Sequence, residues 1–303
     1  MKFEVTILGS SSATPVHNRN PTSQLLNCNE KFYLIDCGEG TQQQLIKYNF
    51  KANKIDHIFI SHLHGDHYFG LIGLLSSLHL NGRIKPMKIF APYPLQEILA
   101  LQFKHSETIL RYPLEFSGIT ADESRTIFEN ADLTVDTVIL NHRIPCTGFK
   151  FTQKKRMRKL LVERLEEEGI GIEYYPLLKR GANLALPGGQ VILNQDYTTN
   201  PEEPKSYGYC SDTLFDERYF STIENCSLLY HESTFLHELL ERANQTHHTT
   251  ALQAAEVANR THADKLLIGH FSSRYKTLLP LLEEAISVFK NTELAIEGIT
   301  FRV

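Results

Sequence analysis

What this sequence lacks narrows its reading at once. Its five cysteines (Cys28, Cys37, Cys146, Cys210 and Cys226) are odd in number, widely spaced and never in a C-x-x-C pair, so neither a disulfide framework nor a structural zinc knuckle is indicated. A reducing cytoplasmic compartment is the simpler home. No apolar stretch is long enough to span a bilayer. The opening "MKFEVTILGSSSATP" carries Glu4 inside a short alternating run and lacks a long apolar segment, so it reads as a first strand, not a signal peptide. There is no internal repeat at solenoid spacing and no low-complexity segment. Strong charge imbalance is absent too: a formal net charge of -4 argues against a surface that coats nucleic acid indiscriminately and leaves room for a local basic patch.

What is present is 303 residues of ordinary apolar content, enough for one large α/β domain or a core with one insertion. Strand and helix signals alternate from end to end. "FEVTIL", "QLLNC", "KFYLID" and "HIFIS" read as strands, and "TQQQLIKY" as a polar-faced helix after Gly38 and Gly40. The spacing predicts one helix through "HYFGLIGLLSSLHL", with Asp66 as N-cap or first-turn acid and a stop at Asn81-Gly82. Residues 114–151 are β-rich, with "LTVDTVIL" and "TGFKF" as hairpin neighbours. Residues 152–189 break the pattern with a basic start, "KKRMRK", a charged helix, "LLVERLEEEG", and a loop-like stretch, which suggests an inserted projecting arm within a single domain of residues 1–303. Alternation resumes with "GYCS", "SLLYHES", "TALQAAEVANRT", "KLLIGHF" and "LLPLLEEAISVF".

The stretch "ISHLHGDHYFGL" places His62, His64, Asp66 and His67 within six positions between a strand end and a helix start. An exposed histidine-rich turn would be the plain alternative. Imidazole and carboxylate together at this spacing suit zinc, manganese or iron, and the lack of nearby thiolates speaks against a structural cysteine site. One segment then supplies about half of a two-metal centre. The other ligand-type residues that lie just beyond apolar runs are His142, Asp212 and His270. Singly, each has an ordinary explanation as a turn histidine, a helix N-cap or a buried hydrogen-bonded side chain. Their recurrence at strand ends, where open α/β sheets build sites, favours a joint functional reading.

The series "HLHGDH", "NHRIP", "YCSDT" and "IGHFSSRY" resembles the metallo-β-lactamase superfamily and, within it, the ribonuclease Z family of tRNA 3′-processing endonucleases. "LGSSSATP", "RNPTS", "GEGTQ", "HESTF" and "HTTALQAAEVA" extend the likeness nearly end to end. The resemblance implies an αββα sandwich, with His62, His64 and His142 on one zinc, Asp66, His67 and His270 on the other, and Asp212 bridging. It implies hydrolysis of precursor tRNA to a 3′-hydroxyl and a trailer with a 5′-phosphate. The family assigns Asp66 as proton acceptor; because a carboxylate on a dication is a weak base, we read it as orienting the attacking water and relaying its proton. His248 matches the family's H-x-T-A pattern, where the histidine serves the leaving 3′-oxygen, and His231 and Glu232 are expected to hold other groups in place. Arg19 and Asn20 of "RNPTS", Arg274 of "HFSSRY", and Lys154, Lys155 and Arg156 of the arm are the expected substrate contacts. Relatives are usually cytoplasmic homodimers in which one subunit's arm serves the other's site. Two places depart from the family pattern: Tyr175 precedes Pro176 where a glycine is usual, and His17 stands where relatives often have lysine. The competing readings are a small-molecule phosphodiesterase on the same fold and a metal-stabilised tRNA-binding module without catalysis.

Overall fold

Strands that are apolar on both faces demand cover on both sides, and residues 2–152 and 205–303 supply it in four layers. In the computed structural model the described residues are 2–186, 189 and 191–303. One seven-stranded sheet has the order Thr300–Arg302, Phe3–Gly9, Ser23–Cys28, Lys31–Ile35, Ile55–Phe59, Met87–Pro92 and Leu114–Ile119. The other, also of seven strands, has the order Thr292–Leu294, Leu266–Gly269, Leu228–Glu232, Ser206–Cys210, Cys146–Gln153, Leu133–Leu140 and Thr126–Glu129.

Alternation along each strand sends its side chains to two different cores. Phe59 faces the other sheet, while Ile58 and Ile60 face the outer helices. Between the sheets lies an aromatic core in which Phe59 stacks on Phe90 at 4.7 Å and meets Phe151 edge-on at 5.3 Å, and Tyr209 stacks on Tyr230 at 5.1 Å. Helices Leu71–Leu80 and Pro94–His105 cover the first sheet through Leu71, Leu74, Leu75, Leu78, Leu95 and Leu99. Helices Ala251–Arg260 and Leu279–Val288 cover the second through Ala254, Ala255, Ala258, Leu281 and Ala285. Thr250 starts the first of these with a reciprocal capping box to Gln253.

The helix expected over residues 67–80 is broken into Gly65–Tyr68 and Leu71–Leu80. The reason is a close approach: Gly70 donates its N–H to the Cys37 carbonyl at 2.9 Å, and a Cβ at position 70 would fall 2.1 Å from the Gly38 carbonyl oxygen. Tertiary contact overrides the helical spacing here.

Residues Gln153–Pro204 form a second compact unit. It has its own apolar cluster of Leu160, Leu165, Ile170, Leu178, Leu184 and Ile192. Buried Asn194 ties it together, donating to the carbonyls of Leu178 at 2.6 Å and Ala182 at 3.2 Å. Its end lies beyond residue 189 because Thr198–Thr199 pairs antiparallel with Lys159–Leu160. Pro187 and Gly188, inside the expected insertion 152–189, lie outside the described residues.

Candidate metal centre

Four strand exits bring seven ligand-type residues to one edge of the two sheets. The chain leaves strand Ile55–Phe59 through Ile60 and Ser61 to His62, His64, Asp66 and His67. From the second sheet, His142 follows Leu133–Leu140, Asp212 follows Ser206–Cys210 and His270 follows Leu266–Gly269. His270 holds a left-handed backbone, φ 59°, a conformation costly for a non-glycine residue and characteristic of over-determined sites.

Ligand atoms of His62, His64, His142 and Asp212 lie within 4.8 Å of one another, as do those of Asp66, His67 and His270. His62 Nε2 and His142 Nε2 approach His64 Nδ1 at 3.1 and 3.2 Å. Asp212 stands between the two groups: Oδ2 lies 3.6 Å from His62 Nε2 and 3.8 Å from His142 Nε2, while Oδ1 lies 3.4 Å from His67 Nε2 and 3.2 Å from His270 Nε2. Two of these buried atoms, His67 Nε2 and Asp212 Oδ1, have no hydrogen-bond partner among the described residues. Leaving such atoms unpaired costs about 1–3 kcal/mol each, and a cation between them would engage both. The donor set, imidazole nitrogen and carboxylate oxygen, fits divalent zinc, manganese or iron.

The far sides of the rings are anchored. His67 Nδ1 lies 2.7 Å from Asp36 Oδ2, His142 Nδ1 2.8 Å from the His247 carbonyl, His270 Nδ1 2.9 Å from Thr234 Oγ1 and His62 Nδ1 3.0 Å from Ser61 Oγ. Such partners orient the rings and set which nitrogen faces inward. Asp66 Oδ2 accepts the Ala13 N–H at 2.8 Å.

At His62, His142, Asp66 and Asp212 electrostatics agrees with ligation; at His67 burial is outweighed by the carboxylates of Asp212, Asp66 and Asp36, which hold the ring well above the ordinary imidazole range. Burial keeps His62 neutral and pushes His142 down to about 4. Burial would raise Asp66 and Asp212, but the surrounding imidazoles outweigh it and hold both below the usual carboxylate range. Cys146 Sγ sits 3.6 Å from His62 Nδ1, yet burial raises its thiol so far that it stays protonated.

His248 sits beside this group with Nδ1 2.9 Å from Glu232 Oε1 and 4.0 Å from Asp212 Oδ2. Burial opposes its charge, but the Glu232 carboxylate prevails and raises its pKa to about 9. Glu232 is itself fully buried and accepts from the Thr213, Thr234 and Thr249 amides at 3.1, 3.0 and 3.1 Å. His231 turns the other way, with Nε2 2.9 Å from the Tyr219 hydroxyl.

A cleft of about 420 Å³ opens over the centre, lined by Ser12, Ala13, His64, Asp66, Arg143, Asp212, His248 and His270 among others. Arg19 is 8% exposed and gives its guanidinium to the carbonyls of Tyr275 at 2.9 Å and Ser272 at 3.4 Å, bracing loop to loop. Asn20 donates its N–H to Glu297 Oε1 at 2.5 Å. Arg274 is exposed, its guanidinium over the Phe235 ring at 5.6 Å. Lys155 and Arg156 are exposed in the 153–204 unit, where Lys155 lies 3.8 Å from Glu203, and Lys154 is half-buried. Asp36, Thr234 and Arg143 are functional candidates that sequence reasoning missed; the one signal for Asp36 was an acid directly ending the apolar strand "KFYLI".

Residues 3–155 match the family model described as anti-Pycsar protein Apyc1, a span that holds His62, His64, Asp66, His67 and His142 but not Asp212, His248 or His270. The ribonuclease Z of Cytophaga hutchinsonii is 47% identical over 304 residues, covering 100% of this chain and 97% of the relative. The human tRNase Z short form superposes with a TM-score of 0.73 at 26% identity over 99% of both chains. The metallo-β-lactamase fold protein YhfI of Bacillus subtilis does so with a TM-score of 0.70 at 19% identity, again over 99% of both. The four-layer sandwich is thus the metallo-β-lactamase fold, and the chain belongs to the ribonuclease Z family.

Proposed function

We propose that this metal-dependent hydrolase is the zinc endoribonuclease that removes the 3′ trailer from precursor tRNA in the cytoplasm, leaving a tRNA 3′-hydroxyl and a trailer with a 5′-phosphate. The observation that carries the reading is the convergence of seven metal-type ligands with His248, paired to Glu232, on the wall of the same cleft. His62, His64, His142 and Asp212 would hold one ion, and Asp66, His67, His270 and the same Asp212 the other. Two divalent ions held there would supply Lewis acidity to the phosphodiester and acidify the attacking water.

The chain's own groups do the rest. Asp66, fixed by the Ala13 amide, orients the water and relays its proton away. Water oxygen bonds to phosphorus as the bond to the 3′-oxygen breaks in line. His248 commits Nδ1 to Glu232, which leaves Nε2 to give a proton to the departing 3′-oxygen. Lys154, Lys155, Arg156 and Arg274 contact tRNA phosphates, and in a homodimer the 153–204 unit serves the partner's substrate.

The test is cleavage of a 3′-extended precursor tRNA, with and without an encoded CCA, by protein of measured metal content. Wild type should cut at the junction, Asp66→Ala should lose activity and metal, and His248→Ala should lose about 10²–10⁴-fold in turnover with metal retained. A wild type that hydrolyses a small diester but leaves the precursor intact refutes the reading. Light scattering tests the homodimer.

A further inference from the structure

Beside the metal cleft lies a second and larger one, about 850 Å³. Its floor is apolar, with Leu63, Ile119 and Ile144, and its rim carries Tyr93. Tyr93 is 59% exposed, yet its ring is seated: a Cβ built on Gly118 would fall 2.2 Å from Tyr93 Cε1. Glycine at 118 lets the ring lie against the backbone there with much of its surface open. The two clefts meet at Arg143, which lines both. Arg143 is exposed and makes no hydrogen bond or ion pair among the described residues. The other charged groups of the second cleft are already engaged, Arg218 with Asp216 and Asp122 with the Thr120 hydroxyl.

A phosphodiester at the metal centre carries a nucleotide on each side. Leaving the centre past Arg143, the chain of an unpaired nucleotide meets one unneutralised guanidinium and then an aromatic ring over an apolar trough. Unpaired RNA bases are bound in just this way, by stacking on aromatic rings with cations on the backbone. We propose that this second cleft is a nucleobase subsite: the base next to the scissile phosphate stacks on Tyr93, and Arg143, where the two clefts meet, holds the scissile phosphate itself. The inference rests on the ribonuclease reading above.

The test assays the metal-loaded enzyme on precursor tRNA made abasic at the nucleotide just before or just after the cleaved bond. In wild type and Tyr93→Phe, loss of one of these two bases should lower kcat/KM about tenfold or more. Tyr93→Ala should be lowered to a similar degree on intact substrate and show no further abasic penalty. Arg143→Met should lower intact and abasic substrates alike. A wild type without an abasic penalty, or a penalty undiminished in Tyr93→Ala, overturns the inference. A short single-stranded RNA with methylphosphonate linkages, bound but not hydrolysed, separates the two proposals. If wild type leaves precursor tRNA uncut, the functional reading falls. The subsite then stands if Tyr93→Ala weakens binding of this RNA about tenfold while Tyr93→Phe does not, and falls if both bind as wild type does.

Discussion

Replacing Asp36 by asparagine removes one charge and keeps the shape. Asp36 Oδ2 is the acceptor for His67 Nδ1 at 2.7 Å, Ser61 Oγ at 2.8 Å and the Tyr209 hydroxyl at 2.5 Å, while Oδ1 takes the Ser61 amide at 2.7 Å. An amide offers one acceptor oxygen. Whichever way it turns, its NH₂ faces a donor, either the Ser61 N–H or the group around His67. His67 then loses the negative charge that favours a donating Nδ1–H and, when the NH₂ faces it, the anchor for its ring as well. Changes to partners of this kind typically cost 10–100-fold in metal affinity, or about 1.4–2.7 kcal/mol. The assay is competition against a chelator of known affinity, read as two dissociation constants. We expect one to weaken by that amount and the other, served by His62, His64 and His142, to change little. If Asp36→Asn binds both metal equivalents as tightly as wild type, Asp36 does not orient a ligand.

Chelation should lower the thermal midpoint, and zinc should restore it, because ions that bind only the folded state at a thousandfold excess over Kd stabilise by about 4 kcal/mol; the shift should shrink in His142→Ala. For His248 the folded pKa of about 9 lies above the ordinary 6.5, so the stability its charge supplies is fully present below pH 6.5 and is lost as pH rises through about 9. In urea unfolding of metal-free protein, the gap between wild type and His248→Asn should therefore narrow by up to about 3 kcal/mol between pH 6 and 9.5, and a flat gap would count against the Glu232 pairing. Thr250→Ala removes the capping box of helix Ala251–Arg260 and should cost about 1 kcal/mol, seen in denaturant midpoint with the m-value unchanged.

Much of this architecture was legible because the strands advertise themselves. "KFYLI", "HIFIS" and "LLIG" are short, β-branched or aromatic, and apolar on both faces, as covered sheets require. The candidate ligands were legible for a different reason: His62, His142, Asp212 and His270 each sit one or two residues past such a run, and His64, Asp66 and His67 follow within five positions of His62. What could not be read depended on contacts between distant segments. The break at Phe69 and Gly70 exists because the 37–38 loop passes within bonding distance, and nothing in the local spacing announces it. Asp36 and Thr234 are ordinary strand-end polar residues until His67 and His270 are placed against them. Arg19 looks like a phosphate contact by type, and only the fold reveals two carbonyls waiting for it.

The split of the ligand set between the two sheets has a consequence during synthesis. His62, His64, Asp66 and His67 emerge from the ribosome together, while His270 follows about 200 residues later, a delay of roughly 10–40 s at ordinary elongation rates. For that interval the nascent chain displays half of a metal centre with no partners to complete it. A cation captured then would be held by a local fragment and would have to be surrendered or shared when Asp212 and His270 arrive. Loading after the sheets close would avoid that exchange.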